Sequence, residues 1–291
     1  MKKIVIFGST GNIGAYFTDY CNNMIDKKQY EVIAVGRKHT DYYRKAGIEY
    51  INVDLCNSSD FERLPIDDLY AVVNLAGLLP AYMKEYDPFK YVETNINGAL
   101  RILEYARKNN ADRALYTQTW AEQAGYWGKE EVLRPEYPRK LLFTGDHAFY
   151  AITKSMIVDT MEYYKQEYGL KNFVFRLPNV YLYHPEKYYY VDCVKKPIGY
   201  RYMIDKAAAG DTIEMWGNPD AFKDILYIKD LCQMMYKALF AQVDGGTYNA
   251  GTGIRTTLRE QIEGIIDVFS PKDHMSNICL LYTSPSPRDR G

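Results

Sequence analysis

The stretch Ile4-Val-Ile-Phe-Gly-Ser-Thr-Gly-Asn-Ile-Gly14 decides the fold of this chain. Its first four residues are apolar and predict a short buried strand, and Ala15 to Met24 predict a helix that follows at once. Between them, Gly8, Gly11 and Gly14 recur at every third position. Glycine permits a tight turn and the close approach of a phosphate, and a helix N-terminus offers free N–H groups and partial positive charge. The stretch therefore predicts a pyrophosphate site, with a purely structural turn as the alternative.

Composition excludes several classes of protein. The chain has 291 residues, of which 47% are hydrophobic and 25% charged, and its net charge is −1. This balance gives no electrostatic case for binding nucleic acid or an anionic membrane, and no apolar run approaches the roughly 20 residues of a membrane span. The five cysteines are scattered without metal-ligand spacing, so we expect no metal site and interpret them as reduced thiols. The N-terminus passes directly into a strand rather than a signal peptide, and we expect a cytoplasmic protein.

Strand and helix patterns alternate along the chain after the first unit. The predicted strands are Glu31–Val35, Tyr50–Val53, Ala71–Leu75, Arg113–Thr117 and Phe173–Leu177. Two long helical patterns cover Tyr91–Asn109 and Phe149–Tyr168. Such alternation predicts an α/β fold, a doubly wound parallel sheet of the Rossmann type with helices on both faces. Ligands of these sheets bind at the carboxyl ends of the strands.

The end of the second strand bears on which cofactor is bound. A carboxylate there, about 20 residues past the glycines, would hold the ribose 2′-hydroxyl of NAD. The chain instead has Gly36, Arg37 and Lys38. Two cations can bind a 2′-phosphate, which favours NADP over NAD. Solvated loop charges are the alternative interpretation of Arg37 and Lys38.

Other candidate cofactor contacts follow the later strands. Asp54, with Leu55 beside it, is placed to accept a hydrogen bond from an adenine amino group, or to cap the segment after it. Asn95 lies within a helical pattern and would face the sheet edge, although an Asn in that position is usually structural. The residues that end the fourth strand would lie beneath the cofactor; they are Leu75, Ala76 and Gly77.

The segment Tyr150-Ala-Ile-Thr-Lys154 carries the predicted chemistry. Residues four apart share one helix face, so we expect the Lys154 ammonium to favour the ionised Tyr150 phenol and to lower its pKa. Such a phenol exchanges a proton with a substrate hydroxyl while hydride moves to a nicotinamide. Thr119, past the fifth strand, would orient the substrate oxygen. Thr117 is the fallback, and capping of the next segment is the alternative for Thr119.

These motifs together resemble the extended short-chain dehydrogenases/reductases, the NAD(P)-dependent epimerase/dehydratase family of nucleotide-sugar enzymes. The resemblance runs from Lys3 to about residue 270. Its motifs are the glycine stretch, Asn74-Leu-Ala-Gly77, Asn95-x-x-Gly98, Tyr150-x-x-x-Lys154, Arg176-Leu-Pro-Asn-Val-Tyr181, Lys223-Asp-Ile-Leu-Tyr-Ile-Lys-Asp230 and Gly246-Thr-Tyr-Asn-Ala-Gly-Thr-Gly253.

The resemblance implies roles for individual residues. Thr10, Asn12 and Ile13 would join the three glycines at the cofactor. Lys154 would also hold the nicotinamide ribose, and Pro178 would approach the carboxamide. Asn179, with Thr119, would reach the substrate.

The same resemblance implies a division of the chain. Residues 1–180 would form the NAD(P)-binding domain, and 181–222 with 254–278 a smaller substrate domain. Residues 223–253 would return to the first domain. The segment 279–291 resembles the translation of a transposase sequencing adapter, so we expect a non-native tail that was not selected to pack and an incomplete substrate domain. Leu280, Leu281 and Tyr282 could still adhere to apolar surface that the missing elements leave bare. A natural disordered tail rich in Ser and Pro is the alternative.

Epimerisation of a nucleotide sugar through a keto intermediate is the leading functional prediction. The 4,6-dehydratases of the family place Asp-Glu directly after the catalytic hydroxyl, whereas Trp120 and Ala121 follow Thr119 here, which argues against elimination. The loop after Thr117 is enlarged, and Leu182-Tyr183 replaces the usual Gly-Pro.

NADPH-dependent reduction of a keto sugar and a non-catalytic dinucleotide sensor are the alternatives, and the Tyr-Lys pair argues against the sensor. The resemblance also implies a homodimer built on the two long helices.

Overall fold

The structure is a computed structural model that describes residues 1–128, 132–183 and 185–281. Strands and helices alternate through its first half, as the sequence predicts. In chain order the strands are β1 Lys2–Phe7, β2 Tyr30–Gly36, β3 Glu49–Asn52, β4 Leu69–Asn74, β5 Arg113–Thr119, β6 Lys171–Leu177, β7 Asn179–Tyr181, β8 Tyr188–Val191, β9 Val194–Pro197, β10 Ile213–Trp216, β11 Phe222–Lys223, β12 Ile225–Tyr227, β13 Gly245–Asn249, β14 Thr256–Thr257 and β15 Ile278–Leu281.

Helices connect most of these strands. The α-helices are α1 Asn12–Met24, α2 Tyr42–Lys45, α3 Pro88–Tyr91, α4 Gly98–Lys108, α5 Ala148–Tyr168, α6 Gly199–Ala209, α7 Ile228–Phe240 and α8 Leu258–Phe269. Short 3-10 segments cover Ser58–Arg63, Pro80–Tyr82 and Trp120–Tyr126, and a π-helical turn covers Val92–Asn97.

A seven-stranded sheet forms the centre of the fold, in the order β13-β6-β5-β4-β1-β2-β3. Every neighbouring pair in it is parallel, which confirms the doubly wound α/β prediction. The strand order reverses at β1, which pairs with β2 on one side and β4 on the other, with Phe7 opposite both Val35 and Asn74. Ligands of open parallel sheets bind at such a reversal point.

Both faces of this sheet are buried, which explains why its strands are nearly continuous apolar runs. On β1, Ile4 and Ile6 face a core that also includes residues of α1 and α7, whereas Val5 and Phe7 face a second core with residues of α4 and α5. All four side chains are 0% exposed. The two cores therefore fix both helical layers on the strand that leads into the glycine stretch.

A third, smaller apolar cluster lies in the C-terminal part of the chain. It joins α6, β10 and α8 through Ala207, Ile213, Met215, Ile262 and Ile266. Helix α8 begins with a capping box in which Thr257 and Glu260 satisfy each other's backbone N–H groups. The domain boundaries given above stay a prediction.

The structure adds detail to two sequence-based predictions about these elements. The pattern Tyr91–Asn109 is helical as predicted, and a π-helical turn at Val92–Asn97 lies between α3 and α4. The packed chain continues a few residues beyond Ile278. Residues Cys279–Leu281 continue β15, which pairs with β10, and Leu280 packs against the third cluster. The rest of the predicted tail, 282–291, lies outside the described residues. Among the described residues, no helix is long and apolar enough to cross a membrane.

Candidate active site

The turn between β1 and α1 is held by backbone atoms packed against each other. Gly8 has φ +83°, and a Cβ on it would lie 2.6 Å from the backbone nitrogen of Ala76. A Cβ on Gly14 would lie 2.0 Å from the carbonyl oxygen of Gly8. Neither position tolerates a side chain, so these glycines bring the start of α1 and the end of β4 together at the sheet edge.

The first turn of α1 is suited to an anion. Gly11 is the N-cap residue, and no side chain caps this helix end. The N–H groups of the first turn are therefore available to a ligand, as a dinucleotide pyrophosphate site requires. Asn12 donates to the Tyr82 hydroxyl at 2.9 Å, and Ile13 packs against the first core. The predicted glycine motif thus fits a dinucleotide at this position.

Buried Ser9, inside the glycine stretch, fixes the turn through the hydrogen bonds of its hydroxyl and carbonyl groups. Its hydroxyl donates to the Ile6 carbonyl at 2.7 Å and accepts from the Val35 N–H and the Thr18 hydroxyl. The Tyr43 hydroxyl donates to the Ser9 carbonyl at 2.5 Å. This anchor was not predicted, because a serine in a turn has no distinctive spacing.

The end of β2 has a fixed backbone and exposed charges. The Gly36 carbonyl accepts from the Tyr50 hydroxyl at 2.8 Å, and the Arg37 carbonyl accepts from the Asn52 side chain at 2.9 Å. The side chains of Arg37 and Lys38 are exposed. Thr10 borders this point, since a Cβ on Gly36 would lie 2.8 Å from its hydroxyl oxygen.

Two candidate cofactor residues, Asp54 and Asn95, make hydrogen bonds within the protein. The sequence analysis left such a structural role open for both. The Asp54 carboxylate accepts from the Cys56 N–H at 3.0 Å and so closes a local turn, whereas Asn57 caps the 3-10 segment that follows. The Asn95 side chain accepts from the Leu78 N–H at 2.7 Å and donates to the Leu78 carbonyl at 3.1 Å. Asn95 therefore fixes the loop after β4, which carries Leu75, Ala76 and Gly77.

Tyr150 and Lys154 lie on one buried face of α5. They are 8% and 4% exposed, and Tyr150 packs with Met83 and Tyr91. The Lys154 ammonium lies 3.9 Å from the centre of the Tyr116 ring. A Cβ on Gly77 would lie 3.9 Å from the same ammonium, so Lys154 reaches the end of β4. Helix α5 thus brings Lys154 to the predicted ligand edge, with Tyr150 one helical turn before it.

The predicted lowering of the Tyr150 pKa is wrong. Burial, with a contribution from Tyr91, raises the pKa of the Tyr150 phenol above its ordinary value of 10.0. Burial also lowers the pKa of Lys154 from 10.5 to about 7. The physical reason is that a buried surrounding disfavours the charged form of each group.

Thr119 ends β5 and caps the 3-10 segment after it. Its hydroxyl oxygen accepts from the Ala121 N–H at 3.2 Å. This is the capping role that the sequence left open. A hydroxyl both donates and accepts, so its hydrogen is still available to a substrate oxygen. Thr117 lies in the same strand and is more deeply buried.

A buried ion pair joins the walls of the site. Glu122 and Arg176 are 3% and 4% exposed, and the Arg176 Nε donates to Glu122 Oε1 at 2.6 Å. The second Glu122 oxygen accepts from Gln118 at 2.5 Å. Gln118 in turn accepts from the Thr119 N–H at 2.7 Å and donates to the Ser155 hydroxyl at 3.2 Å. One network therefore reaches the backbone of Thr119 and the hydroxyl of Ser155, the residue after Lys154.

The same network fixes the carboxyl end of β6. Arg176 lies in that strand, two residues before Pro178, and donates to Asn249 of β13 at 2.5 Å. Asn179 follows Pro178, is exposed, and begins β7. The sequence analysis missed the Glu122–Arg176 pair. A usable signal was present in the sequence. Glu122 follows β5, Arg176 lies near the end of β6, and these two strands are neighbours in the sheet.

Comparison with known proteins agrees with this geometry. The family model of the NAD dependent epimerase/dehydratase family matches residues 4–251. The dTDP-glucose 4,6-dehydratase 1 of Escherichia coli (strain K12) is 26% identical over 274 residues, which cover 86% of this chain and 72% of that protein.

Solved structures give the same fold. The UDP-glucose 4-epimerase of Thermus thermophilus, in complex with NAD, matches with a TM-score of 0.74 and 20% identity, covering 97% of this chain and 87% of that one. The UDP-N-acetylglucosamine 4-epimerase of Methanobrevibacter ruminantium, in complex with UDP-N-acetylmuramic acid, matches with a TM-score of 0.77 and 19% identity, covering 98% and 86%.

The parallel sheet, the glycine turn and the Tyr-Lys face define a dinucleotide-binding enzyme of the extended short-chain dehydrogenase/reductase type. The chain belongs to the NAD dependent epimerase/dehydratase family.

The buried ion pair gives a test of how the site is held. Glu122→Gln should lower the free energy of unfolding by about 3–5 kcal/mol, because it leaves the buried Arg176 charge without a counterion. Replacing both partners, Glu122→Leu with Arg176→Met, should recover much of that loss. The control is Asp205→Asn, which breaks the half-exposed Lys187–Asp205 pair and should cost less than about 1 kcal/mol. Urea unfolding measures all four proteins, and equal losses for Glu122→Gln and Asp205→Asn would contradict the role of the pair.

Proposed function

We propose that this protein epimerises a nucleotide sugar through a transient keto intermediate, using NAD(P). The observation that carries the proposal is the pair Tyr150 and Lys154, buried one helical turn apart on α5, with the Lys154 ammonium near Gly77 just after β4. The family match supports the reaction class, and the two structural neighbours are described as UDP-sugar 4-epimerases. A non-catalytic dinucleotide sensor would not need this buried pair.

The residues proposed to hold the cofactor surround the sheet edge. When bound, the nicotinamide would accept hydride from the sugar and return it to the other face of the keto sugar. Lys154 would hold the ribose next to it. The remaining proposed cofactor contacts are Gly8, Thr10, Gly11, Asn12, Ile13, Gly14, Arg37, Asp54, Leu55, Leu75, Ala76, Gly77, Asn95 and Pro178.

Tyr150 would exchange the proton of the sugar hydroxyl. Its raised pKa keeps the phenol protonated at neutral pH, which is the form that reduction of the keto sugar uses. In the oxidation half, the same oxygen must be deprotonated to take a proton, and a charged Lys154 would lower the cost of that anion. Thr119 and Asn179 would orient the sugar.

Elimination, the reaction of the dehydratases, fits this site less well. Elimination needs an acid and a base that are free to reach the sugar. Within the described part of the loop, 120–128, the single carboxylate is Glu122, and the Arg176 guanidinium and the Gln118 amide hold it in the interior. It is therefore not placed to serve as that acid or base.

Tyr150→Phe tests the chemistry. Turnover of nucleotide sugars should be lost, because only the proton-transferring hydroxyl is removed, while dinucleotide affinity should be nearly unchanged. Thr119→Ala should lower kcat by on the order of 10²-fold, the usual cost of one positioned polar group. Product formation is measured by chromatography and cofactor affinity by calorimetry. A Tyr150→Phe protein with full activity would refute the mechanism.

Reduction of a keto sugar with NADPH is the second candidate function, and the Arg37–Lys38 segment favours it. The two reactions differ in how the cofactor is used: an epimerase regenerates it in each cycle, whereas a reductase must exchange it. Mass spectrometry of the purified protein distinguishes them. Retained NAD supports epimerisation, and exchangeable NADP supports reduction.

We also propose a preference for NADP. The end of β2 presents Arg37 and Lys38 to solvent on a backbone fixed by Tyr50 and Asn52. A guanidinium binds phosphate through paired hydrogen bonds, and a fixed backbone reduces the entropy lost when it does so.

Arg37→Ala should weaken NADP binding by about 1.5–3 kcal/mol, the range of a hydrogen bond to a charged group, and leave NAD binding nearly unchanged. Titration calorimetry with both dinucleotides measures this. Lys45→Ala, at an exposed cation on α2, is the control and should alter neither. Equal losses of affinity for NADP and NAD would show that Arg37 does not bind the 2′-phosphate.

A twofold dimer through α4 and α5 is the proposed assembly. The outer faces of these helices expose Leu100, Met156 and Tyr163, with 39%, 50% and 53% of their surface accessible. Burying such side chains against a second copy removes apolar area from water, and twofold dimers are the commonest oligomers.

Light scattering at micromolar concentration should therefore give twice the chain mass of 33.8 kDa. Met156→Asp should shift the protein toward monomer, because it places a charge in the proposed interface. Val268→Asp, at a 73% exposed position on α8, should leave the mass unchanged. A monomeric mass for the unaltered protein would exclude this assembly.

A further inference from the structure

The side chain of Gln118 joins two parts of the site that carry different candidate catalytic groups. Gln118 lies in β5, directly before Thr119, and is 1% exposed. Its Oε1 accepts from the Thr119 N–H at 2.7 Å, and its Nε2 donates to the Ser155 hydroxyl at 3.2 Å. Ser155 follows Lys154 on α5. One amide therefore bridges the strand end that carries Thr119 and the helix that carries Lys154.

The hydrogen bonds of the Gln118 amide allow it only one orientation. Its Nε2 also donates to Glu122 Oε2 at 2.5 Å, so both N–H groups of the amide are used. A carboxylate only accepts hydrogen bonds, and a backbone N–H only donates. A flipped amide would turn its oxygen to Glu122 and its NH2 group to the Thr119 N–H, and both bonds would be lost. Because Arg176 holds Glu122 in turn, the buried ion pair fixes the amide, and the amide fixes the Thr119 backbone.

Tyr116 makes a second connection between β5 and α5. It lies two residues before Gln118, and alternate residues of a strand share one face. Its hydroxyl donates to the Lys154 carbonyl at 3.4 Å, and the Lys154 ammonium lies over its ring. Tyr116 and Gln118 therefore contact successive residues of the helix. Loss of the Gln118 amide would leave the strand and the helix joined through Tyr116, but it would release the Thr119 backbone.

We propose that Gln118 is a positioning residue for the reaction, which holds the Thr119 hydroxyl at a fixed distance from the helix that carries Lys154. The inference rests on the proposed function, because that function gives Thr119 the task of orienting the sugar. The Thr119 hydroxyl is one rotatable bond from the backbone and accepts from the Ala121 N–H, so its place depends on the backbone. A misplacement of about 1 Å in a catalytic site can cost about 10²-fold in rate.

Gln118→Met tests this role, because it keeps an unbranched side chain of similar length and removes all three hydrogen bonds. The probes are UDP-glucose, UDP-N-acetylglucosamine and dTDP-glucose, each given to the cofactor-loaded protein. For a sugar that the unaltered protein converts, kcat should fall by about tenfold while KM stays nearly unchanged. In a Thr119→Ala background, Gln118→Met should have almost no further effect on kcat, because Gln118 acts through the Thr119 hydroxyl.

Gln123→Met is the matched control. Gln123 is also a buried amide, at 0% exposed, but its Nε2 donates to the carbonyls of Arg134 and Tyr137 at 3.1 and 3.3 Å. The substitution removes buried hydrogen bonds in the same part of the fold, so it should lower stability. It should leave kcat unchanged, which separates a loss of positioning from a general loss of stability.

Amide hydrogen exchange gives a readout that needs no substrate. The Thr119 N–H should exchange about tenfold faster in Gln118→Met than in the unaltered protein, relative to the Thr117 N–H of the same strand. The Gln123→Met protein should keep the original ratio of the two exchange rates. An unchanged ratio in Gln118→Met would show that the amide does not hold the Thr119 backbone and would overturn the inference.

Ser155→Ala removes only the helix end of the bridge and serves if Gln118→Met does not fold. It should lower kcat by about threefold, and again almost not at all in the Thr119→Ala background. Unchanged kcat in the folded variants, or the same fall in kcat with and without the Thr119 hydroxyl, would overturn the positioning role and leave the proposed epimerase intact. Failure of the unaltered protein to convert any nucleotide sugar would overturn the proposed function and the positioning role together.

Discussion

The close contact of three backbone segments at the reversal point of the sheet is the constraint on which the site depends. Gly8 lies against the backbone of Ala76, and Gly14 lies against the carbonyl of Gly8, with no room for a Cβ at either position. Because of these contacts, α1 begins at the edge where β1 and β4 end, and its uncapped first turn faces the same space as the loop after β4. A side chain at either glycine would separate these segments. The two buried cores then hold α1 and α5 on opposite faces of the same sheet, so a phosphate-binding turn and a catalytic helix meet at one edge.

The other half of the site is held by charge rather than by backbone contact. The Glu122–Arg176 pair crosses from the end of β5 to β6, and Gln118 extends it to Thr119 and to α5. A buried pair of this kind adds little net stability over an apolar core, since both charges lose hydration. Its benefit is geometric: neither partner can move without leaving a buried charge unsatisfied, so the walls that carry the candidate catalytic groups keep fixed positions.

Most of the sheet could be predicted from the sequence, because strands buried on both faces are short apolar runs bounded by turns. The Tyr150–Lys154 face was predictable from helical spacing for the same local reason. The π-helical turn before α4 was not predictable, because the apolar pattern of the sequence does not show which turn of a helix contains one additional residue. The roles of Asp54 and Thr119 were ambiguous, because a polar side chain after a strand can either accept a hydrogen bond from the local backbone or bind a ligand. Contacts between residues far apart in sequence, such as Glu122 with Arg176 or Leu280 beside β10, need the topology before they can be inferred.

Burial gives the charged groups around the site opposite roles. Desolvation keeps Tyr150 protonated and lowers the Lys154 pKa to about 7, so burial disfavours the charged form of both groups. Glu122 is buried too, but Arg176 and Gln118 occupy its oxygens, and it has nothing left to offer a ligand. Asp146, in the segment that leads into α5, keeps one buried oxygen without a donor among the described residues. An acceptor that is already satisfied cannot distinguish one ligand from another, whereas an unsatisfied one gains free energy only from a ligand that donates to it. Glu122 therefore acts as a positioning residue, whereas Asp146 keeps the capacity to accept a hydrogen bond.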